Sequence, residues 1–221
     1  MKTYNELQEG VYDPNIFKAI FLAGGPGSGK SYVVQRATGG LGMKIVNSDT
    51  AFEKLIRDAG ISLDMRKMEP KTRDVIRGRA KKLTKKRQKN YIEGRLGLIV
   101  DGTGHDYEKI AKQARGLENL GYDIHMIFVN TSLDVALERN EIRSRKLPTN
   151  VVTQSWKEVQ KNIGKFSNFF KGNFIIVDNN ASDENPMTDV FKRVLKLVKR
   201  KVSNSRAKTW IARELELKRR T

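Results

Sequence analysis

The sequence predicts an α/β fold in which a mostly parallel, five-stranded sheet lies between two layers of helices. Apolar runs of strand length alternate with segments of helix length along most of the 221 residues. Such alternation produces parallel strands that are joined by right-handed crossovers. A hydrophobic content of 38% is also sufficient for one sizeable core.

The first strand and the first helix flank a glycine-rich motif. An apolar run over residues 16–23 has the length of a strand, and residues 24–31 then read GGPGSGKS, which fits G-x-x-x-x-G-K-[ST]. Residues 31–37 continue as a helix. In this context backbone amides surround a polyphosphate, and the helix N-terminus attracts the same charge. The motif therefore predicts a P-loop NTPase that binds a nucleoside triphosphate, rather than a glycine-rich turn without function.

Seven consecutive or nearly consecutive residues are the candidate nucleotide contacts: Gly25, Gly27, Ser28, Gly29, Lys30, Ser31 and Tyr32. Lys30 is expected to reach the outer phosphates, and the Ser31 hydroxyl is a candidate ligand for Mg²⁺. ATP and Mg²⁺ are therefore the predicted cofactors.

The remaining elements follow the same alternation. Strands are predicted over residues 43–47, 98–101, 122–129 and 173–178. Helices are predicted over residues 51–59, 70–91, 106–120, 151–163 and 189–202, with one more beginning at the capping pattern Thr131–Asp134. The helix over 70–91 is polar on almost all sides, which favours a place at the edge of the fold.

The net charge of +18 is concentrated in two segments. Residues 71–89 contain ten Lys or Arg and one Asp, and residues 192–221 contain twelve Lys or Arg and two Glu, so the rest of the chain is close to neutral. Two cationic segments on a neutral core indicate a polyanion such as nucleic acid as the partner. A solvated helix face and a disordered tail are the alternative that composition leaves open.

Composition also bounds the domain organisation and the cellular location. The sequence changes character at Ser203, which predicts a nucleotide-binding domain over residues 1–202 and a basic tail or docking helix over 203–221. No apolar run approaches the length of a membrane span, the N-terminus lacks a secretory apolar stretch, and there are no cysteines. We therefore expect a soluble, cytoplasmic protein without membrane association.

Asp49 follows the second predicted strand, close to where Lys30 would hold a γ-phosphate. Phosphoryl transfer to a hydroxyl needs a carboxylate that orients the hydroxyl and finally accepts its proton. Asp49 is the candidate for this role. The alternative is that Asp49 only caps the helix that follows it.

Asp101 ends a strand that is predicted to be buried on both faces. An acid in that position beside a P-loop commonly reaches the magnesium ion, so Asp101 is a candidate metal ligand. Its alternative is a carboxylate satisfied by local backbone amides. Gly102 and Gly104 would permit close approach to a ligand, and His105 could assist with the acceptor, whereas His125 within a strand is expected to be structural.

Arginines are clustered just before Pro148. Arg139 and Arg143 are spaced i, i+4, which predicts that they share one helix face, where their guanidinium groups could engage phosphate oxygens and neutralise developing charge. A solvated, charged helix is the alternative.

Together these residues make the sequence resemble the zeta-toxin-like P-loop kinases and, in the same group, the kinase domain of phage polynucleotide 5'-hydroxyl kinases. The matching elements are Gly24–Ser31, Ser48–Asp49, Leu98–Gly104 and Arg139–Asn140 with Arg143. The resemblance covers about residues 16–180. It implies that Asp49 is the general base, that Lys30 and Arg143, with Arg139, hold the γ-phosphate, and that Mg²⁺ is required. Residues 71–89 are much more basic than the site for a sugar nucleotide would need.

The favoured function is an ATP-dependent kinase that transfers the γ-phosphate to a nucleic-acid 5'-hydroxyl. A zeta-toxin-like kinase of a small acceptor, either a UDP-sugar or a nucleotide, is the first alternative. A nucleotide-dependent nucleic-acid-binding protein without transferase activity is the second.

Overall fold

The computed structural model describes residues 10–38, 41–180 and 185–220. The strands are β1 (Lys18–Ala23), β2 (Lys44–Val46), β3 (Leu98–Asp101), β4 (Asp123–Asn130) and β5 (Phe174–Asp178). The α-helices of these ranges are α1 (Lys30–Thr38), α2 (Ser48–Asp58), α3 (Pro70–Glu93), α4 (Tyr107–Asn119), α5 (Leu133–Ile142), α6 (Thr149–Phe170), α7 (Asn185–Lys199) and α8 (Ser205–Arg220). Short 3₁₀ helices cover Gly10–Tyr12 and Lys171–Asn173.

The five strands form one parallel sheet in the order β2-β3-β1-β4-β5. Strand β1 lies in the centre, where Ile20 pairs with Ile99 of β3 on one side and with His125 of β4 on the other. The predicted α/β class and the P-loop NTPase fold are confirmed.

Helices cover both faces of the sheet, because side chains of each strand alternate between the faces. Ile20 and Leu22 of β1 pack with α1 and α7 through residues such as Val33 and Val194. Phe21, on the opposite face, belongs to the cluster that includes residues of α4, α6 and α8. A buried central strand explains why β1 is apolar almost throughout.

A smaller cluster joins α2 and α3 beside the edge strand β2. Phe52 and Ile56 of α2 are fully buried there with Ala80 of α3. The remaining apolar residues of α3 differ in exposure, since Ile76 is partly buried whereas Val75 remains 57% exposed. Helix α3 is therefore attached by one narrow stripe, and most of its surface faces solvent.

Helices α2 and α6 are among those that extend beyond their predicted bounds. Helix α2 begins at Ser48 rather than at residue 51, because the side chain of Asn47 accepts a hydrogen bond from the Asp49 amide at 2.6 Å and caps the helix. Helix α6 extends to Phe170 because Phe166 and Phe170 continue its buried face.

The C-terminal basic segment ends in a helix that packs on the core. Ala207 of α8 is fully buried, and the Trp210 ring meets Phe17 edge-on with the centroids 5.4 Å apart. The Asp123 carboxylate accepts hydrogen bonds from the Ser203 amide at 2.8 Å and the Ser203 hydroxyl at 2.7 Å. The division of the chain at residue 203 stays a prediction, but residues 205–220 are docked rather than extended.

Buried charge lies at the end of the sheet where β1 begins. Lys18 is 1% exposed, and its ammonium donates to the Arg200 carbonyl at 2.7 Å and lies 3.5 Å from Asp123. Burial lowers the pKa of Lys18, although Asp123 opposes the shift. Within the described ranges, none of the helices combines the length and the apolar character that crossing a membrane requires.

Candidate functional site

The P-loop connects β1 to α1 at the carboxyl end of the sheet. The connection after β1 leads to β2 on one side of the sheet, whereas the connection after the neighbouring β3 leads to β4 on the other side, so a crevice opens between the ends of β1 and β3. The Gly24 amide donates to the Thr103 carbonyl at 2.9 Å, so the loop after β3 is tied to the P-loop. The motif thus occupies the position at which this class of fold binds ligands.

Two P-loop glycines are required by their surroundings. Gly27 and Gly29 have φ angles of 79° and 83°, which disfavour any side chain. A Cβ at Gly27 would lie 2.2 Å from the Ala136 carbonyl oxygen, and one at Gly29 would lie 2.2 Å from Nδ2 of Asn179. Asn179 Nδ2 also donates to the Ser28 carbonyl at 2.8 Å. The loop is therefore enclosed by α5 and by the residue after β5.

Lys30 is the first residue of α1, and its ammonium is close to several charged groups. It donates to the Gly24 carbonyl and, at 3.1 Å, to the Gly25 carbonyl. Burial lowers the pKa of Lys30, whereas the carboxylates of Asp101 and Asp49 raise it. Lys30 is therefore within electrostatic range of both carboxylates that the sequence singles out.

Asp49 lies in the first turn of α2 and does not cap that helix. The alternative in which Asp49 acts only as the N-cap is wrong, because Asn47 occupies that position. Oδ2 of Asp49 lies 3.3 Å from Nη1 of Arg145, and Oδ1 lies 3.4 Å from Nη1 of Arg77. With its side chain 40% exposed, Asp49 is accessible to an acceptor.

Asp101 ends β3 and has one free carboxylate oxygen. Oδ2 accepts a hydrogen bond from Nδ2 of Asn47 at 2.6 Å, so a side chain rather than local backbone amides holds it. Oδ1 is buried and has no partner among the described residues. Burial raises the pKa of Asp101, and Lys30 opposes the shift. A buried, unpartnered oxygen is the feature expected of a ligand position.

Ser31 and Asp101 line the same cleft of about 390 Å³, between α1 and the β2–β3 edge. Mg²⁺ prefers oxygen ligands and usually keeps several waters, so it needs only one or two protein groups. The Ser31 hydroxyl and the free oxygen of Asp101 fit that requirement. Accordingly, the described residues contain no cluster of three or more His, Cys, Asp or Glu side chains that could hold a metal alone.

The arginine cluster is arranged differently from the sequence prediction. Helix α5 ends at Ile142, and Arg143 has an extended backbone with ψ of 150°, so Arg139 and Arg143 do not share a helix face. Arg139 donates to the Asn179 carbonyl at 2.8 Å and its Nη1 would lie 3.7 Å from a Cβ on Gly29. Burial and, to a smaller extent, the positive charge of Arg145 lower the pKa of Arg143. The carboxylates of Glu53 and Asp49 oppose this shift. Both arginines therefore remain close to the P-loop or to Asp49.

The sequence interpretation gave no individual role to Arg145, which belongs to the arginine cluster, to Arg77, which belongs to the basic segment 71–89, or to Asn179. Arg145 is 8% exposed, and its Nη1 lies between Asp49 and Glu53 at 3.3 and 3.2 Å. The spacing of these two acids gave a signal, because residues i and i+4 of a helix can share one cation. For Arg77 and Asn179 the sequence offered no comparable signal, since their contacts depend on tertiary packing.

Other candidates take up peripheral or structural positions. Tyr32 is 40% exposed, and the Arg36 guanidinium lies 5.6 Å above its ring. A Cβ on Gly104 would approach Cβ of Ala23 to 2.8 Å, so packing against β1 rather than against a ligand explains this glycine. His105 is exposed, and His125 is buried in β4.

Comparison with known proteins gives one family and several similar structures. The zeta toxin family model matches residues 4–194. A search of curated protein sequences gave no significant match. Solved structures with a similar fold include three that are described next.

A putative kinase from Chloroflexus aurantiacus J-10-fl is 14% identical, with a TM-score of 0.58, and the alignment covers 84% of this chain and 97% of that one. The PezAT chromosomal toxin–antitoxin structure from Streptococcus pneumoniae has 17% identity, a TM-score of 0.54 and coverage of 82% and 84%. A chain of the Pnkp1/Rnl/Hen1 RNA repair complex has 18% identity, a TM-score of 0.54 and coverage of 69% and 47%.

Proposed function

The chain belongs to the zeta toxin family and is a P-loop kinase, and on that premise we propose that it transfers the γ-phosphate of ATP to a nucleic-acid 5'-hydroxyl. The observation that carries the proposal is the contact of Asp49 with Arg77 of the basic helix α3, at the carboxyl end of the sheet where the P-loop also lies. Because the chain is a kinase, the alternative of a nucleic-acid-binding protein without transferase activity is excluded.

The P-loop supports the first step, which is binding of the triphosphate. Amides of Gly25–Ser31 at the start of α1 would surround the β- and γ-phosphates, and the Lys30 ammonium would exchange its carbonyl contacts for phosphate oxygens. Arg139, held over Gly29 by its hydrogen bond to the Asn179 carbonyl, would contact the same phosphates.

Asp49 is the proposed general base. Contacts with Arg145 and Arg77 fix the direction of its carboxylate, so that a hydroxyl placed against it is aligned for attack. Proton transfer to Asp49 accompanies or follows formation of the new P–O bond. The leaving oxygen remains on the diphosphate, where Lys30 and Arg143 would neutralise its charge.

Ser31 and Asp101 are the residues that would hold Mg²⁺. A bound Mg²⁺ supplies additional neutralisation of phosphate charge. Asn47 orients Asp101 for this purpose by fixing one carboxylate oxygen and leaving the other free.

The acceptor is inferred from the charge beside Asp49. Arg77 connects Asp49 to the segment 71–89, which carries ten cationic side chains and a single acid. Such a surface is far more basic than a small neutral acceptor requires, and it matches a phosphate backbone. The similarity to a chain of an RNA repair complex supports the same class of acceptor.

A small acceptor is the second candidate, and the cleft beside Asp101 favours it. Its volume of about 390 Å³ is within the range of small-molecule sites, and Val34, Met43 and Ile45 give it an apolar lining. In that case the acceptor would be a UDP-sugar or a nucleotide.

The purified protein should be incubated with labelled ATP and a set of possible acceptors. The set contains RNA and DNA oligonucleotides with a 5'-hydroxyl, the same oligonucleotides with a 5'-phosphate as the matched control, nucleoside monophosphates and UDP-N-acetylglucosamine. We expect label only on the 5'-hydroxyl oligonucleotides. Label on the sugar nucleotide, with none on the oligonucleotides, would establish the second candidate instead.

A further inference from the structure

We propose that one face of α3 guides the acceptor strand, with its 5' end at Asp49 and its following nucleotides along the helix. This inference rests on the proposed function and specifies how that substrate is held. The lysine face consists of Lys81, Lys82, Lys85 and Lys86, and all four side chains are exposed. Their spacing of i, i+1, i+4 and i+5 places them on one side of the helix.

The lysine face is separate from the side of α3 that packs on the core. Positions Arg73, Arg77, Ala80, Thr84 and Gln88 repeat at helical spacing, and each of them is buried or partly buried. Ala80, at the centre of that stripe, is fully buried against α2. The four lysines therefore contribute nothing to the attachment of α3, and their presence needs another explanation.

Few acids compensate the positive charge on this helix. Arg73 pairs with Asp74, Arg77 with Asp49, and Lys89 with Glu93. No carboxylate in the described ranges pairs with a residue of the lysine face. Four uncompensated lysines within two helical turns create a strong local field for a polyanion.

Gly78 lies on the same side of α3, between Arg77 and the lysine face. No atom lies within 4 Å of the position that its Cβ would take, so packing does not require a glycine here. Glycine within a helix costs about 1 kcal/mol relative to alanine. A glycine keeps this surface flat, so that a phosphate backbone can approach the helix. This explains why an unfavourable residue is present within α3.

The direction of the strand follows from the two ends of α3. Arg77 contacts Asp49 at the catalytic end, and the chain after Glu93 reaches Arg95, which lies 5.9 Å above the rings of both Phe17 and Trp210. The far end of α3 therefore borders α8, which belongs to the second basic segment. From Arg77 to Gly94 the helix covers about 25 Å, or about seven stacked nucleotides at 3.4 Å each.

The test combines a variant of the lysine face with a matched control. The variant is K81Q/K82Q/K85Q/K86Q, and the control is K109Q/K112Q/K157Q/K161Q, which neutralises four exposed lysines on α4 and α6. We expect the variant to raise KM for a twelve-nucleotide 5'-hydroxyl acceptor by about 10-fold or more and to reduce the salt dependence of log KM by a slope of about 3. The KM for ATP and phosphorylation of a nucleoside 3'-monophosphate should not change, and the control should resemble the unaltered protein.

A second measurement uses the unaltered protein and does not depend on the folding of a variant. Neutral methylphosphonate linkages are placed one at a time along the acceptor. Each should raise KM within about seven nucleotides of the 5' end and have no effect beyond about ten.

The two proposals fail in different ways. Efficient phosphorylation of 5'-hydroxyl ends with equal KM for the variant and the control, or with a methylphosphonate effect independent of position, would overturn this inference alone. No phosphorylation of any oligonucleotide would overturn the proposed function. If the variant instead lost binding to anionic vesicles or to an acidic protein with unchanged oligonucleotide kinetics, the lysine face would serve that other partner and the inference would be wrong.

Discussion

Nη1 of Arg145 lies 3.3 Å from Oδ2 of Asp49. This contact joins the segment after α5 to the first turn of α2, and Arg145 also lies 5.8 Å above the ring of Phe52, which is fully buried. Because Arg145 is itself buried, its position is fixed by packing and the Asp49 carboxylate is oriented by it. Arg145 is thus a positioning residue for the proposed general base.

Replacing Arg145 by Gln should reduce kcat by about 10- to 100-fold, because loss of orientation at a reacting group is costly. The KM for ATP should change much less than kcat, since the ion pairs of Arg145 are with Asp49 and Glu53 of α2. Steady-state kinetics checks this expectation, with the exposed Arg57→Gln on α2 as the control. A double-mutant cycle with Asp49→Asn should be strongly non-additive, and simple additivity would show that the two residues act independently.

Replacing Asp49 by Asn should abolish most of the phosphate transfer, with a loss of about 10²- to 10⁴-fold in kcat. ATP binding, measured with a fluorescent analogue, should persist because the P-loop is intact. Asp58→Asn, at the exposed end of the same helix, is the matched control. Full activity of Asp49→Asn would remove the assignment of the base.

Replacing Asp101 by Asn should raise the Mg²⁺ concentration for half-maximal rate by at least about 10-fold. The amide side chain of the variant could still accept the hydrogen bond from Asn47, but it would lack the negative charge that attracts the cation. Binding of Mn²⁺ to the ATP complex, followed by paramagnetic resonance, gives a readout that does not depend on turnover. Asp106→Asn, an exposed N-cap, is the control, and an unchanged Mg²⁺ requirement would contradict the ligand role.

The two histidines should differ in their effect on acid stability. Burial, with Lys18 next, lowers the pKa of His125 to about 4, and Asp123 opposes the shift. Between about pH 6.5 and pH 4, His125 is therefore protonated in the unfolded chain but not in the folded protein. The free energy of unfolding consequently falls by up to about 3 kcal/mol as the pH drops through this range. Chemical denaturation across this range should show a smaller decrease for His125→Gln, whereas the exposed His105→Gln should retain the full decrease.

Helix α8 should contribute to stability as well as to charge. Trp210→Ala should lower the free energy of unfolding by about 2 to 3 kcal/mol, because it removes the ring that packs against Phe17 and Arg95. Leu217→Ala on the same helix, 49% exposed, should have a much smaller effect. Equal effects would indicate that α8 is not docked in solution. Removing residues from Ser203 onward is consequently a poor test of nucleic-acid binding, since it also uncovers the core.

The elements with strong local signals were predictable from the sequence. An apolar strand followed by the P-loop glycines determined the position of Lys30, and the strand 98–101 was placed with its correct bounds because β3 is buried on both faces. The acids Asp49 and Asp101 were found because both follow short apolar strands of a parallel sheet, whose carboxyl ends meet at one edge.

Contacts between distant segments were not predictable. The place of Arg143 depends on where α5 ends, and neither Gly nor Pro marks that end at Ile142. Arg77 reaches Asp49 only because α3 packs on α2, and α8 docks through contacts with distant segments, such as that of Trp210 with Phe17. A sequence pattern describes local preference, whereas these positions follow from packing between elements.

Asn179 closes the phosphate cradle although it lies 151 residues after Ser28 in the chain. The glycine-rich loop is synthesised well before Asn179, so one of its walls is made of a residue that follows it by 151 positions. A nascent chain that stops before β5 presents an incomplete cradle to the cell's nucleotide pool. The binding site for the triphosphate is therefore complete only after β5, the last of the five strands, has been synthesised.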